Sequence, residues 1–132
     1  MKYVLLMQFN IAGWEAGNRS TWQPEDIKAN IDFVRQFNKE LADAGELVGV
    51  EGLGGPEQMK VVQARADGMP AVTDGPFPES KEFLAGYWII DVENPERAYE
   101  IAARLSAIPG PGAVPANIPI EVRPVMSGCG EM

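Results

Sequence analysis

The stretch Phe83-Leu84-Ala85-Gly86-Tyr87-Trp88-Ile89-Ile90-Asp91-Val92 decides the fold. Successive side chains of an extended segment point to opposite faces, which sorts it into Phe83, Ala85, Tyr87 and Ile89 on one side and Leu84, Gly86, Trp88 and Ile90 on the other. Both sets are apolar or small, so the strand is expected to be covered on two sides. Val4-Leu5-Leu6-Met7 carries the same two-sided pattern.

Downstream, Asn94 is placed to cap a helix with Pro95 at its first position, and Ala98, Ile101, Ala102 and Leu105 form its apolar stripe. Residues 109–119 are dense in Pro and Gly and read as loop. Ile120 to Val125 reads as the last strand, with Pro119 and Pro124 suiting a sheet edge or a covered margin. Upstream, Tyr3 to Phe9 is the first strand, and the Gly-rich segment from Asn10 to Gln23 is a loop. From Pro24, the recurrence of Ile27, Ile31, Val34, Phe37 and Leu41 predicts one face of a helix. Glu25 and Asp26 favour the positive end of its dipole, and Gly45 closes it. Leu47 to Leu53 and Met59 to Ala66 read as strands, the latter meeting Asp67-Gly68 as a two-residue hairpin turn with Ala71 to Thr73 as the return arm.

The element order is β-α-β-β-α-β with an inserted β-hairpin, a ferredoxin-like α+β arrangement in which two helices lie on one face of an antiparallel sheet. Two helices cover one face only. The other would leave a hydrophobic patch larger than a monomer tolerates, so a second copy across a two-fold axis is expected to cover it, unless the hairpin and long loops do so within one chain. Residues 1–126 are expected to form a single domain and 127–132 a flexible C-terminal tail.

Composition narrows the function. The chain has 132 residues, of which 45% are hydrophobic, enough for one real core. Lys and Arg total 11 against 19 Asp and Glu, a formal net charge of −8, which disfavours nucleic acid as a partner. No stretch approaches the length of a membrane span and the N-terminus lacks a cleavable leader pattern, so no membrane partner and a cytoplasmic location are expected. There is no His, and the single Cys129 sits between Gly128 and Gly130. Zinc sites of the usual kind and histidine-based nucleophilic catalysis are thereby excluded, and neither a metal nor an organic cofactor is expected. The Gly-rich pieces 52–56 and 109–112 lack the following helix, Lys and Ser/Thr of a phosphate loop.

Val72-Thr73-Asp74-Gly75-Pro76-Phe77, then Lys81-Glu82, Gly86-Tyr87-Trp88-Ile89-Ile90-Asp91-Val92 and Glu121-Val122-Arg123-Pro124-Val125-Met126, together resemble the YCII-related family in its DGPF-domain branch. Met1-Lys2-Tyr3 and Gly49-Val50-Glu51-Gly52-Leu53 extend the likeness over nearly the whole chain. The resemblance implies a dimeric α+β barrel built from two facing ferredoxin-like sheets, and a bacterial origin. It brings no assigned reaction. Its context includes breakdown of aromatic compounds and neighbourhood to extracytoplasmic-function sigma factors. The family's His-Asp acid–base pair does not carry over, because this chain has no His to fill the first role.

Proton transfer would then fall to a carboxylate, a lysine or a tyrosine. Asp74 is the candidate catalytic residue, either at the mouth of a cavity on the rigid Gly75-Pro76 backbone or, structurally, as acceptor in an Asx-turn. Arg123 either pairs with Glu121, two residues away on the same face, or presents its fork to a carboxylate ligand. Tyr87 and Trp88 point to opposite faces, one under the helices and the other toward an inter-sheet space. Lys81 and Glu82 are candidates for substrate contact or a solvated strand entry. Trp14 and Trp22 either pin the first loop down or lid a cavity. Two functions remain: a small cofactor-free enzyme acting on a compact aromatic or carboxylate-bearing molecule, or a non-catalytic dimer that binds a ligand or a protein, such as a sigma-factor partner.

Overall fold

The computed structural model describes residues 1–12, 22–77 and 79–126. Trp14, most of the first loop and the tail with Cys129 lie outside these. Helix α1 (Pro24–Asp43) begins on Pro24 with Glu25 and Asp26 in its first turn. It closes at Gly45, whose φ of 72° lies in the left-handed region, with the Glu46 N–H donating to the Leu41 carbonyl at 2.9 Å. Phe33, Val34, Phe37 and Leu41 form its inward face. Ile31, expected on that face, is instead 38% exposed. At 3.6 residues per turn it lies about 120° round the axis from Phe37, on the shoulder of the stripe. Helix α2 (Pro95–Ser106) follows the expected chemistry. The Asn94 side chain accepts from the Arg97 N–H at 2.9 Å, and Ala98, Ile101, Ala102 and Leu105 are all buried.

The strands are β1 (Lys2–Asn10), β2 (Leu47–Gly52), β3 (Lys60–Ala64), β4 (Pro70–Asp74), β5 (Glu82–Asp91) and β6 (Ile120–Pro124). Four of them form an antiparallel sheet in the order β2-β5-β1-β6, while β3 and β4 pair with each other. This mixed α+β architecture, with two helices of a dozen residues or more and antiparallel sheets, is compatible with a ferredoxin-like fold. Pro124 lies on β6, an edge strand, as a residue without a donor must.

The β3–β4 turn differs from the expected two-residue form. Arg65 N–H donates to the Met69 carbonyl at 2.8 Å and Gly68 N–H to the Arg65 carbonyl at 2.9 Å, with Gly68 at φ 84°. The loop therefore has three residues, Ala66 to Gly68, and the glycine takes the left-handed position. The Gly75–Pro76 peptide is cis.

A second departure changes the sorting of side chains. Met7 pairs with Gly86 but Gln8 pairs with Leu84, so Ala85 is an extra residue in β5. This bulge moves Phe83 onto the Trp88 side, where it is 3% exposed and its ring meets Phe9 at 6.1 Å. Tyr3, Leu5, Met7, Trp88 and Ile90 face the helices and pack with Phe37, Leu41, Ile101 and Leu105. Val4, Leu6, Leu84, Tyr87 and Ile89 share the other face with Arg123 and Glu121, which pair with Val4 and Leu6 respectively. Among the described residues, no helix is long and apolar enough to cross a membrane.

One ion pair fastens the start of α2 to the start of β2. Arg97 donates from Nε and Nη2 to the two oxygens of Glu46, both at 2.8 Å, and the Glu46 side chain is 15% exposed. The hydrogen bonds from Arg97 hold the Glu46 carboxyl below its ordinary value of 4.5. A depressed carboxyl contributes stability that is fully present above the unfolded value and is lost as pH falls through the folded one. Arg97→Ala is expected to destabilise the fold by about 1–2 kcal/mol, a figure reduced for Arg97's partial exposure. In urea titrations, the gap between wild type and variant should be flat above about pH 6 and close as pH drops below Glu46's unfolded range. A gap that widens in acid would contradict this assignment.

Candidate functional site

A cavity of about 480 Å³ opens on the helix side of the sheet, between β1, β2 and β5, the first half of α1 and the Pro-rich loop after α2. That volume lies within the range of small-molecule sites. Its walls are chiefly apolar, with Phe9, Trp22, Val34, Val50, Trp88 and Ile108 the bulkiest contributors. The sheet makes room for it at Ala85 and Gly86, where a strand otherwise rich in large side chains carries two small ones.

The walls are fixed by hydrogen bonds behind them. Trp88 Nε1–H donates to Asn38 Oδ1 on α1 at 2.7 Å, and Phe37 meets the Trp88 ring edge-on at 6.0 Å. The loop after α2 is tied to α1 by the Asn30 side chain, which donates to the Pro109 carbonyl at 2.9 Å, and by the Gly112 N–H, which donates to Asp26 at 3.0 Å. Ser106 Oγ donates to the Ile118 carbonyl at 2.6 Å and closes the base of the same loop. A dense Pro/Gly segment thus becomes a built wall.

Polar groups on the lining are few: Asn10, Asn30 and Glu51, with exposed main chain. Glu51 pairs with Tyr87 in the β2–β5 register, which assigns its side chain to the opposite face of the sheet. Among the described residues, no Lys or Arg borders the cavity. A buried carboxylate there would have no cation to meet.

The residues singled out in the sequence lie elsewhere. Asp74 sits at the end of β4 with its side chain 86% exposed, paired across the hairpin to Lys60. The Lys60 hydrogen bond lowers the Asp74 pKa, which keeps it ionised in solvent. It bonds a side chain on the neighbouring strand in place of the backbone groups of an Asx-turn. Lys81 and Glu82 are exposed at the entry to β5, where Lys81 contributes its carbonyl to the Ile11 N–H at 2.8 Å. Tyr87 and Arg123 lie on the sheet face away from the helices. Glu121 accepts from Gln8 Nε2 at 2.7 Å, and among the described residues it forms no ion pair with Arg123. None of Asp74, Lys81, Glu82, Tyr87 and Arg123 borders the cavity.

Of the sequence candidates among the described residues, Trp22 and Trp88 do so. The small pair Ala85-Gly86 in a strand of large residues was the available signal. Phe9, Val34, Val50 and Ile108 gave none, since each also fits a filled core.

Residues 1–116 match the model of the YCII-related domain. An uncharacterized protein of Rhizobium meliloti (strain 1021) is 30% identical over 106 residues, covering 80% of this chain and 81% of its own length.

Proposed function

Because the chain belongs to the family of YCII-related domains, we propose that it binds a compact, neutral, aromatic-sized molecule in the cavity beneath α1. Val72 to Phe77 with Lys81-Glu82 supports a place in the DGPF branch of that family. In this reading β3 and β4 form a hairpin inserted into a ferredoxin-like domain, and the working unit is a homodimer whose two sheets face each other as an α+β barrel. The half-buried apolar strip of Val4, Leu6, Leu84, Tyr87 and Ile89 on the face away from the helices supports the dimer.

The observation that carries the binding reading is a roughly 480 Å³ apolar space walled by Trp22 and Trp88, held open by the hydrogen-bonded loop after α2. A general acid or base needs an ionisable side chain aimed at the reacting group. Among the described residues, Glu51 is the one ionisable residue on the lining, and its side chain belongs to the other face. Binding is therefore favoured over acid–base catalysis, and a neutral ligand over a carboxylate-bearing one.

Calorimetric titration with indole, phenol and benzoate tests this. The neutral rings should bind at least about tenfold more tightly than benzoate, since an unpaired carboxylate loses its hydration with no compensating partner. Val34→Trp, which fills the space from α1, should weaken indole binding by about tenfold or more while the protein keeps its fold by circular dichroism. Tightest binding by benzoate, or indole binding untouched by Val34→Trp, would overturn the assignment of the cavity.

A further inference from the structure

We propose that the aromatic group entering the cavity is a side chain of an extended peptide, which adds as an antiparallel strand along the open edge of β2 and carries a basic residue directly after the aromatic one. The inference rests on the cavity reading above and names the source of its ligand. β2 and β6 are the two edges of the four-stranded sheet, and they are built differently. β6 has Pro119 before it and Pro124 within it, residues without an N–H to offer a further strand. β2 runs Leu47-Val48-Gly49-Val50-Glu51-Gly52, with no Pro, Lys or Arg to blunt it. Its irregularity lies between Leu47 and Gly49, and the ladder from Gly49 to Gly52 is regular.

Main-chain groups on that edge are open to a partner. The Leu53 N–H donates to the Ala85 carbonyl at 2.9 Å. Alternation along an antiparallel ladder then turns Glu51 toward β5 as well, and directs the N–H and C=O of Val50 and Gly52 away from the sheet. Among the described residues, no hydrogen bond reaches them from that side. Their spacing, about 7 Å along the strand, is that of alternate residues in an added strand.

Side chains decide which peptide fits. A peptide residue directly opposite Gly52 projects to the helix side of the sheet, where the cavity lies. Gly52 pairs with Gly86 and both border the cavity, so this row carries no side chain on β2 or on β5. A Cβ added at Gly52 would meet nothing within 4 Å. The row is therefore a channel from the edge into the apolar space walled by Trp22 and Trp88, and a neutral ring is the side chain that suits it. Because the strands run against each other, the next peptide residue stands opposite Glu51 and shares its face. Glu51 is exposed and, among the described residues, has no ion pair, so a lysine or arginine there gains a cross-strand partner.

Calorimetric titration with capped pentapeptides tests this. The first holds valine, tryptophan and lysine, in that order, between two threonines. The second reverses those three residues, which keeps charge and composition. The third is the first peptide methylated on the tryptophan amide nitrogen, whose N–H faces the Gly52 carbonyl. The first should bind at least about tenfold more tightly than indole, and reversal or methylation should each weaken it about tenfold or more. Gly52→Val, which puts a side chain into the channel, should also weaken it about tenfold or more, with a thermal melt establishing that the fold is intact. A first peptide no tighter than indole, or indifferent to methylation, would overturn the docked strand while the cavity stands. Indifference to reversal would overturn the antiparallel placement and the contact with Glu51. Peptide binding that weakens as protein concentration rises, in step with self-association by sedimentation, would give the edge to a second copy of this chain and overturn the proposal. Failure of indole and peptide alike would overturn the cavity reading and the peptide together.

Discussion

Phe37→Ala is expected to cost about 3–4 kcal/mol and to lower the melting temperature by about 10 °C or more. Phe37 is 1% exposed and sits where three layers of side chains meet. It stacks on Phe33 at 5.9 Å, meets the Trp88 ring edge-on, and lies under the Arg104 guanidinium at 5.4 Å. Truncation removes the transfer free energy of a phenyl ring and leaves a void that helix and sheet, both regular, cannot close. Domains are stable by only about 5–15 kcal/mol, so the loss is a large share. Ile31→Ala on the same helix, at a position 38% exposed, should cost under about 1 kcal/mol. Equal losses at the two positions in urea unfolding would show that the buried face of α1 has been misassigned.

The second large effect is expected at Gly86. A Cβ added there would stand 3.0 Å from the Glu51 carbonyl oxygen, a backbone atom of the neighbouring strand that cannot swing aside. Gly86→Val should destabilise by about 2–3 kcal/mol through a forced displacement of β2. It should also reduce the cavity and weaken indole binding with it. Gly52, directly across the ladder from Gly86, has nothing within 4 Å of its added Cβ, so Gly52→Ala should change stability by no more than about 0.5–1 kcal/mol. A Gly86→Val protein as stable as wild type in urea would show that the β2–β5 contact is looser than described.

Elements specified by local chemistry were legible in the chain. Pro24 with Glu25 and Asp26, Asn94 with Pro95, and the stripe from Ala98 to Leu105 act within a few residues of themselves, and the helices appear where those residues put them. The edge position of β6 was legible too, because Pro124 lacks a donor wherever it sits. The bulge at Ala85 was not. In a strand apolar on both sides, an extra residue changes which face Phe83 joins without changing the pattern that would betray it. The cavity was hidden for a different reason. Its walls come from Phe9, Val34, Val50, Trp88 and Ile108, which are distant in sequence, and an unfilled space among apolar residues leaves no compositional mark. Asp74 drew attention because Asp-Gly-Pro-Phe is so specific a turn. Its exposure and its pairing with Lys60 turn on which strand lies alongside, a property that the turn itself does not encode.

The separation of β3 and β4 from the four-stranded sheet has a consequence for how the molecule opens. Their ladder, Lys60 to Ala64 against Pro70 to Asp74, is completed within the pair, and Val62 and Val72 on it stay 61% and 58% exposed. Little buried surface couples these amides to the core, so their hydrogens should exchange with deuterium through a local opening of the pair alone. The amides of β1 and β5, paired on both sides around Leu5 and Ile90, should wait for the whole domain to unfold. The chain thus holds two cooperative units with different lifetimes, the shorter-lived one carrying the Asp-Gly-Pro-Phe turn.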